Sequence, residues 1–225
     1  MAVIHHTTLK PTKVELLASW LPSRPWYRGG PDAPELTRAG GFRLDDPQGE
    51  VGIEFMVVTD ASGVSPAAYF VPLTYRGAPL DGAEHALVGT TEHGVLGKRW
   101  VYDGCHDPVL AAQLLALAEG RAQAQAQSTS DAPDRDVVVA RDGEGSLFPE
   151  FTDFSDFPVA DDEDGTGLTA PGGAVLRLHR VLRPAPDGPS LAPPGALGHI
   201  TGSWQAPDGT RVRGVFASFR SGSRA

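Results

Sequence analysis

The stretch Tyr69–Leu117, YFVPLTYRGAPLDGAEHALVGTTEHGVLGKRWVYDGCHDPVLAAQLLAL, holds the densest mixture of apolar runs, tight turns and paired polar side chains in the chain. Its pattern predicts a strand over Tyr69–Tyr75, a turn on Gly77, Pro79 and Gly82, and a strand over Lys98–Asp103 that runs into a helix over Asp107–Leu117. Asp107 followed by Pro108 reads as an N-cap with proline at the first helical position. Between the strands lie two similar dipeptides, Glu84-His85 and Glu92-His93, in turn-rich sequence around Gly82, Gly89 and Gly94.

Working outward toward the N-terminus, Asp60-Ala61-Ser62-Gly63 reads as a turn, and Asp45-Asp46-Pro47-Gln48-Gly49 as another between strands Phe42–Leu44 and Val51–Val58. Connections this short imply successive antiparallel strands, a meander. Pro22–Pro34 reads as a loop pinned by Trp26 and Tyr27, whose rings either pack on the sheet or offer a platform for a sugar or a partner. Before it, Val14, Leu17, Ala18 and Leu21 fall at helical spacing, Thr12 and Glu15 form a capping box, and Pro22 ends the helix. Ala2–Leu9 alternates well enough for a short first strand, on which His5 and His6 point to opposite faces and so do not converge on a metal.

Toward the C-terminus, the first half of Glu119–Arg135 favours a prolonged helix, the second half a linker, and Asp136–Ala140 a strand. Charge then segregates. Nine acidic residues and one arginine occupy 141–174, whereas seven arginines face only Asp187 and Asp208 in 175–225, so the two segments should attract. Phe148, Phe151, Phe154 and Phe157 recur at intervals of three, which predicts a helical or 3-10 turn packing by its Phe side. Strands are expected over Ala174–Leu182, Gly198–Gln205 and Thr210–Phe219, with a five-proline loop over Arg183–Gly195, a hairpin turn at Ala206–Gly209 and a fraying end from Ser221.

The 225 residues suffice for one substantial domain or a domain with a smaller appended unit, and 27 glycines with 20 prolines favour strands and loops over helix. A net charge of -9 opposes a nucleic-acid backbone, and no basic stripe interleaved with aromatics occurs. Cys105 is the single cysteine, which excludes an intramolecular disulfide and a cysteine metal cluster. No signal-type h-region or membrane-length apolar run occurs, so a cytoplasmic protein is expected.

The polar candidates divide into alternatives. Glu84-His85 and Glu92-His93, with His106, have the residue types of a general base with an orienting carboxylate. His85, His93 and His106 would need three turn-rich segments to converge before they held a metal, and no HExxH or HxH spacing supports that, so no metal and no cofactor is expected. Asp103 and His106 read as closing the turn before the helix, and Cys105 lacks an oxyanion signature beside it. Asp45, Asp46, Glu50 and Glu54 cluster at one hairpin, where a solvated turn is expected rather than a carboxylate pair across a cleft. The chain has no asparagine, no GxxxxGK[ST], and no HRD-type or DFG-type sequence, which speaks against an autonomous phosphotransferase.

Three runs, SWLPSRPWYRGG (Ser19–Gly30), FRLDDPQGEVGIEFMVV (Phe42–Val58) and Tyr69–Leu115, resemble, in words and in order, the N-terminal cap of actinobacterial maltokinases. The resemblance covers roughly the first 120 residues. The residue pattern reads as an α+β fold; the resemblance implies for 1–120 a curved antiparallel sheet with flanking helices in a cystatin-like cap arrangement, and the additional C-terminal antiparallel strands over 136–225 are expected to pack on the same sheet. In that family the cap precedes a kinase-like body that phosphorylates maltose with ATP and carries the catalytic and magnesium-binding residues. None of these transfers to a position here. The resemblance therefore implies a non-catalytic, cap-like binding or regulatory protein linked to α-glucan metabolism, whether glycogen, maltose or trehalose. Its partner would be a kinase-like or glucan-metabolising protein, or α-glucan itself. Trp26, Tyr27, Tyr75, Arg76, Arg99 and Trp100 are the expected contact residues, since aromatics with arginines serve both sugar stacking and protein hot spots. The alternative is an α-glucan-acting enzyme of branching-protein or maltokinase-like type that uses Glu84, His85, Glu92, His93 or His106.

Overall fold

The central meander is present, and its strands run longer than their apolar pattern indicated. The computed structural model describes residues 9–127, 132–141, 157–170, 172–185 and 192–222. The expected strand over Ala2–Leu9 with His5 and His6, the residues Phe148, Phe151 and Phe154, the middle of the proline-rich loop, and Ser223–Ala225 lie outside these, apart from Leu9.

The first elements are β1 (Leu9–Lys10) and α1 (Lys13–Trp20), whose capping box is formed as expected by Thr12 and Glu15. β2 (Leu36–Leu44), β3 (Gly52–Asp60) and β4 (Ala67–Arg76) make the meander, in antiparallel register through pairs such as Phe42↔Phe55 and Val58↔Tyr69. β5 (Leu87–His93) pairs with β6 (Gly97–Asp103), which pairs with β4. α2 (Pro108–Ala118) follows, with Asp107 as N-cap.

β5 corrects the turn-rich reading of this segment. Alternation is weak in LVGTTEH, but its N–H and C=O groups pair along β6. Also corrected is the prolonged helix: α2 stops at Ala118 because Gly120 takes φ 74 and the N–H of Arg121 turns back to the carbonyl of Ala116 at 2.8 Å.

Short strands β7 (Gln125–Ala126) and β8 (Val138–Arg141) come next, then β9 (Val159–Asp161) and β10 (Gly165–Thr169). The phenylalanine run expected as a helical turn lies, apart from Phe157, outside the described residues, and the described part of the acidic block is a β-hairpin. Its acidic tip takes the charge pairing that the segregation predicted, with Arg177 on Asp162 at 2.7 Å and Arg183 on Asp164 at 2.9 Å. The expected strand Ala174–Leu182 is broken into β11 (Val175–His179) and β12 (Val181–Leu182). β13 (Gly198–Gln205) and β14 (Arg211–Arg220) complete the chain as a hairpin.

The break between β11 and β12 closes the sheet on itself. β11 pairs with β14, whereas β12 pairs with β4 through Val181↔Tyr69 and Leu182↔Ala68. The Phe70 N–H also donates to the carbonyl of Arg180 at 2.9 Å. Strands β4, β3, β2, β13, β14 and the β11–β12 run therefore form a ring, in which β2 and β13 meet at the single pair Trp204↔Gly40. Closure removes open edges that would otherwise invite pairing with other chains.

Alternation along β3 and β4 assigns their two faces. Phe55, Val57, Ala68 and Phe70 join Phe42, Leu178, Trp204, Phe216 and the buried side of α2 in one core. Its rings stack, with Phe42–Phe55 centroids 4.4 Å apart and Phe70–Phe216 centroids 4.5 Å apart. Met56, Val58, Tyr69, Val71 and Leu73 face the other way, against Leu16, Leu17, Trp20, Leu21 and Trp26. Burial on both sides explains why β3 and β4 read as nearly continuous apolar runs.

At the break, Arg180 has no exposed surface and Asp103 is 2% exposed. The Arg180 guanidinium donates to both Asp103 oxygens at 2.6 and 2.7 Å and to Thr166 Oγ1 at 2.7 Å, and it lies 5.1 Å from the Trp26 ring. β6 and β12 share one edge of β4, and this pair sits where they meet.

Removing one partner from a buried pair strands the other charge, so Asp103→Ala is expected to cost about 3–5 kcal/mol in urea denaturation. The double variant Asp103→Leu/Arg180→Met should recover most of that loss. Next along the chain, burial and the neighbouring Arg177 and Arg220 hold the His179 imidazole down at about 4, and its Nε2 lies 3.0 Å from Ser218 Oγ. Folded His179 thus refuses a proton that the unfolded chain takes up from pH 6.5 downward, so the fold loses stability as pH falls from 6.5 toward 4. His179→Gln should flatten the pH dependence of the urea midpoint between pH 7 and 5.

Candidate functional site

The YDGCHDP run, residues 102–108, sits between β6 and α2 and gathers the polar groups that sequence singled out. Asp103 caps a 3-10 turn, Gly104–His106, by accepting from the Cys105 N–H at 3.2 Å. Asp107, with no exposed surface, accepts from the Val109 N–H at 3.0 Å and takes both arms of Arg76 at 2.7 Å. Arg76 thereby ties the end of β4 to the start of α2. Tyr102 accepts the Leu80 N–H at 2.9 Å, and Ala83 and Ala86 pack against it, which seats the 3-10 turn Glu84–Ala86 alongside.

These two turns bring His85 and His106 together. His85 Nε2 lies 3.1 Å from His106 Nδ1, with the ring planes at 89°. Burial, and secondarily the neighbouring His85, pushes the His106 pKa below its usual value. His106 therefore reaches across to His85, whereas the sequence reading had it close the turn with Asp103. Cys105 is fully buried in the core and burial raises its thiol well above the ordinary range, so it stays a protonated thiol beside Arg180.

The other polar candidates are placed elsewhere. His93 Nδ1 accepts from the N–H groups of Val95 and Leu96 at 3.2 and 3.0 Å, holding the β5–β6 turn, and Glu92 is exposed on β5 beside it. Glu84 is exposed and accepts from the Gly82 N–H at 3.3 Å. His93 thus does not join His85 and His106, and among the described residues no three His, Cys, Asp or Glu side chains are grouped to hold a metal.

The six aromatic and arginine candidates divide between faces. Trp26 is fully buried against Trp20, Tyr69 and Arg180, so the packing reading of its loop describes it. Tyr27 stacks on Tyr69 and donates to Asp60 at 2.9 Å. Tyr75 and Arg99 lie on the face of β4 and β6 that carries Val101, whereas Arg76 and Trp100 pair on the opposite face. Arg99 donates to the Leu96 carbonyl at 2.9 Å, and the Lys98 ammonium lies 4.9 Å from the partly exposed Trp100 ring. Beside them the β5–β6 turn leaves Val95 62% and Leu96 46% exposed.

The carboxylates expected as a solvated turn include two buried ones. Asp46 accepts three backbone N–H groups, from Gln48, Glu50 and Val51, and so organises its own turn. Glu54 is 4% exposed on β3, and Lys13, Tyr75 and Gln127 converge on it, with Tyr75 Oη at 2.9 Å and Gln127 Nε2 at 3.2 Å. Burial and the Glu54 charge raise the Tyr75 phenol well above its usual value. The signal for this cluster is a lone carboxylate inside the apolar run GIEFMVV.

Residues 20–107 match the family model of the maltokinase N-terminal cap domain. The match covers fewer than half of the residues, from the end of α1 to the cap of α2; Trp26 and Asp103 lie inside it and Arg180 outside. No curated protein matches the chain. No helix among the described residues is long and apolar enough to cross a membrane.

Replacing His85 removes both a nearby like charge and part of the cover over His106. His85→Ala is therefore expected to move the His106 titration upward toward the usual imidazole value, read from ring proton shifts in an NMR pH series.

Proposed function

We propose that this chain is a non-catalytic, cap-like module of α-glucan metabolism that works by contact, with a kinase-like or glucan-metabolising protein as partner. The observation that carries this reading is the match of residues 20–107 to the maltokinase cap. Consistent with it, groups of the types that catalysis uses are engaged in holding backbone: Asp107 and Asp103 cap turns, Arg76 braces Asp107, and His93 secures a hairpin. In this reading the sheet over 1–120 is the cystatin-type cap, 136–225 is an extension packed on it, and the protein works in the cytoplasm on a glycogen, maltose or trehalose route.

The contact face within this proposal is the outer part of the β5–β6 hairpin. Partly exposed Trp100 lies there near Val95 and Leu96 of the turn, an aromatic beside apolar side chains, as protein hot spots use, while Arg99 lies on the opposite face. A second reading, an α-glucan-acting enzyme, has the His85–His106 contact in its favour, since the accepting ring there must be neutral and a neutral donating ring would keep its other nitrogen as a base.

Purified protein incubated with ATP and maltose should form neither ADP nor a phosphorylated sugar, and maltooligosaccharides should keep their chain length. Product in either assay that disappears in His106→Ala would replace the contact reading with the enzymatic one.

A further inference from the structure

Of the three segments whose convergence a histidine metal site required, two do converge, while His93 stays at the β5–β6 turn. His106 ends the 3-10 turn Gly104–His106, which lies between its cap Asp103 and the N-cap of α2, and His85 is the middle residue of the 3-10 turn Glu84–Ala86. Both turns are fixed by contacts that leave the imidazoles out. The Asp107 N–H donates to the Gly104 carbonyl at 3.0 Å, the Ala86 N–H donates to the Ala83 carbonyl at 3.0 Å, and Ala83 and Ala86 pack on Tyr102. Two ring nitrogens, His85 Nε2 and His106 Nδ1, are thereby held 3.1 Å apart.

That separation suits two ligands of one ion as well as it suits a hydrogen bond. A divalent first-row metal binds imidazole nitrogen at about 2.0–2.1 Å, which sets two nitrogens about 2.9 Å apart when their bonds meet at a right angle and about 3.3 Å apart at the tetrahedral angle. The observed distance falls between these values. In the hydrogen bond one nitrogen donates and the other accepts; an ion in place of that proton takes a lone pair from each. It stands to one side of the line between the nitrogens, so the lone pairs must swing toward it, and the exposed ring of His85 has room to turn.

The surroundings favour a cation of this kind. Burial holds the His106 imidazole below its usual value, so at neutral pH the ring is uncharged and gives a lone pair. Of the charged groups that act on it, the carboxylates of Asp103 and Asp161 favour a positive charge and Arg180 opposes one. Asp103 is already matched by Arg180, which leaves Asp161 in excess. Imidazole selects Zn²⁺ and Cu²⁺ over Mg²⁺ and Ca²⁺, which take oxygen ligands. With two protein ligands, water fills the remaining positions and the ion stays exchangeable.

We propose that His85 and His106 form a two-imidazole site for a divalent transition-metal ion, Zn²⁺ or Cu²⁺, which ties the start of β5 to the start of α2. The site rests on neither the contact reading nor the enzymatic one. The test is calorimetric titration of the full chain at neutral pH with ZnCl2, CuCl2 and MgCl2, on the native protein, on His85→Gln, on His106→Gln and on His5→Ala/His6→Ala, which removes the adjacent histidine pair near the N-terminus. Expected is one Zn²⁺ or Cu²⁺ per chain, bound at least tenfold more weakly by either glutamine variant and unchanged in His5→Ala/His6→Ala, with no heat from MgCl2. Zn²⁺ should shift the ring protons of His85 and His106 in NMR spectra and leave the other histidines in place. An ion that binds only the folded form stabilises it, so Zn²⁺ should raise the melting temperature of the native chain and not that of His85→Gln. His85 is exposed, so this variant decides the matter even where His106→Gln fails to fold. Binding of Zn²⁺ alone or of Cu²⁺ alone would uphold the site and name its ion. Equal binding by the native chain and His85→Gln, loss confined to His5→Ala/His6→Ala, or no binding of either ion would overturn it.

Discussion

A buried guanidinium on a buried carboxylate, Arg180 on Asp103, joins the two halves of this protein. Asp103 ends β6 and Arg180 separates β11 from β12, so the pair stands where two strands from distant parts of the chain divide one edge of β4. An ion pair of this kind adds little net stability over a well-packed apolar substitute, because desolvating both charges costs several kcal/mol. Its contribution is registry. Any slip of β12 along β4 would carry the guanidinium away from Asp103, Thr166 and the face of Trp26 and leave a charge without compensation in the core.

The consequences spread from that point into both cores. On one side Cys105 accepts from Arg180 at 3.2 Å and packs with α2 and the stacked phenylalanines; on the other, Trp26 packs with α1 and the outer faces of β3 and β4. Trp26 and Asp103 lie within the segment that matches the maltokinase cap, whereas Arg180 is supplied from beyond it. The later strands therefore take part in the packing of the matched segment as well as extending its sheet. The seam at β2 and β13 is the opposite extreme of the same ring, held by one strand pair and relieved of side chains by consecutive small residues.

How far the sequence could be read differs by element, for identifiable reasons. Capping chemistry is local, so Thr12 with Glu15, and Asp107 with Pro108, placed both helices within a residue or two of where they are. Strands buried on two faces carry their own apolar signal, so β3 and β4 were visible, and β6 was visible from its aromatic and β-branched residues Trp100, Val101 and Tyr102. β5 was not, because LVGTTEH owes its extended form to pairing with β6 and its burial pattern to α1 lying nearby. The hairpin of β9 and β10 was not visible either, because GTGLT carries two glycines and little apolar signal. Parity held two unused clues: Arg180 falls on the same alternate positions as Leu176, Leu178 and Leu182, and Glu54 shares its parity with Met56 and Val58. A charged residue at an apolar position of a strand must be paired if it is buried.

Sequence by itself determined what depends on neighbours a few residues apart: helix starts, the meander and its turns, the antiparallel class, and the identity of the polar groups around Tyr102–Pro108. Tertiary structure alone decided which of those groups meet. His85 reaches His106 across 21 residues, Glu54 meets Gln127 across 73 and Arg180 meets Asp103 across 77. Closure of the ring, the break at Arg180 and the seam at Gly40 belong to the same class. Each arises from hydrogen bonding and desolvation between segments far apart in the chain, and no local spacing encodes which distant group will arrive to satisfy a buried charge or an unpaired strand edge.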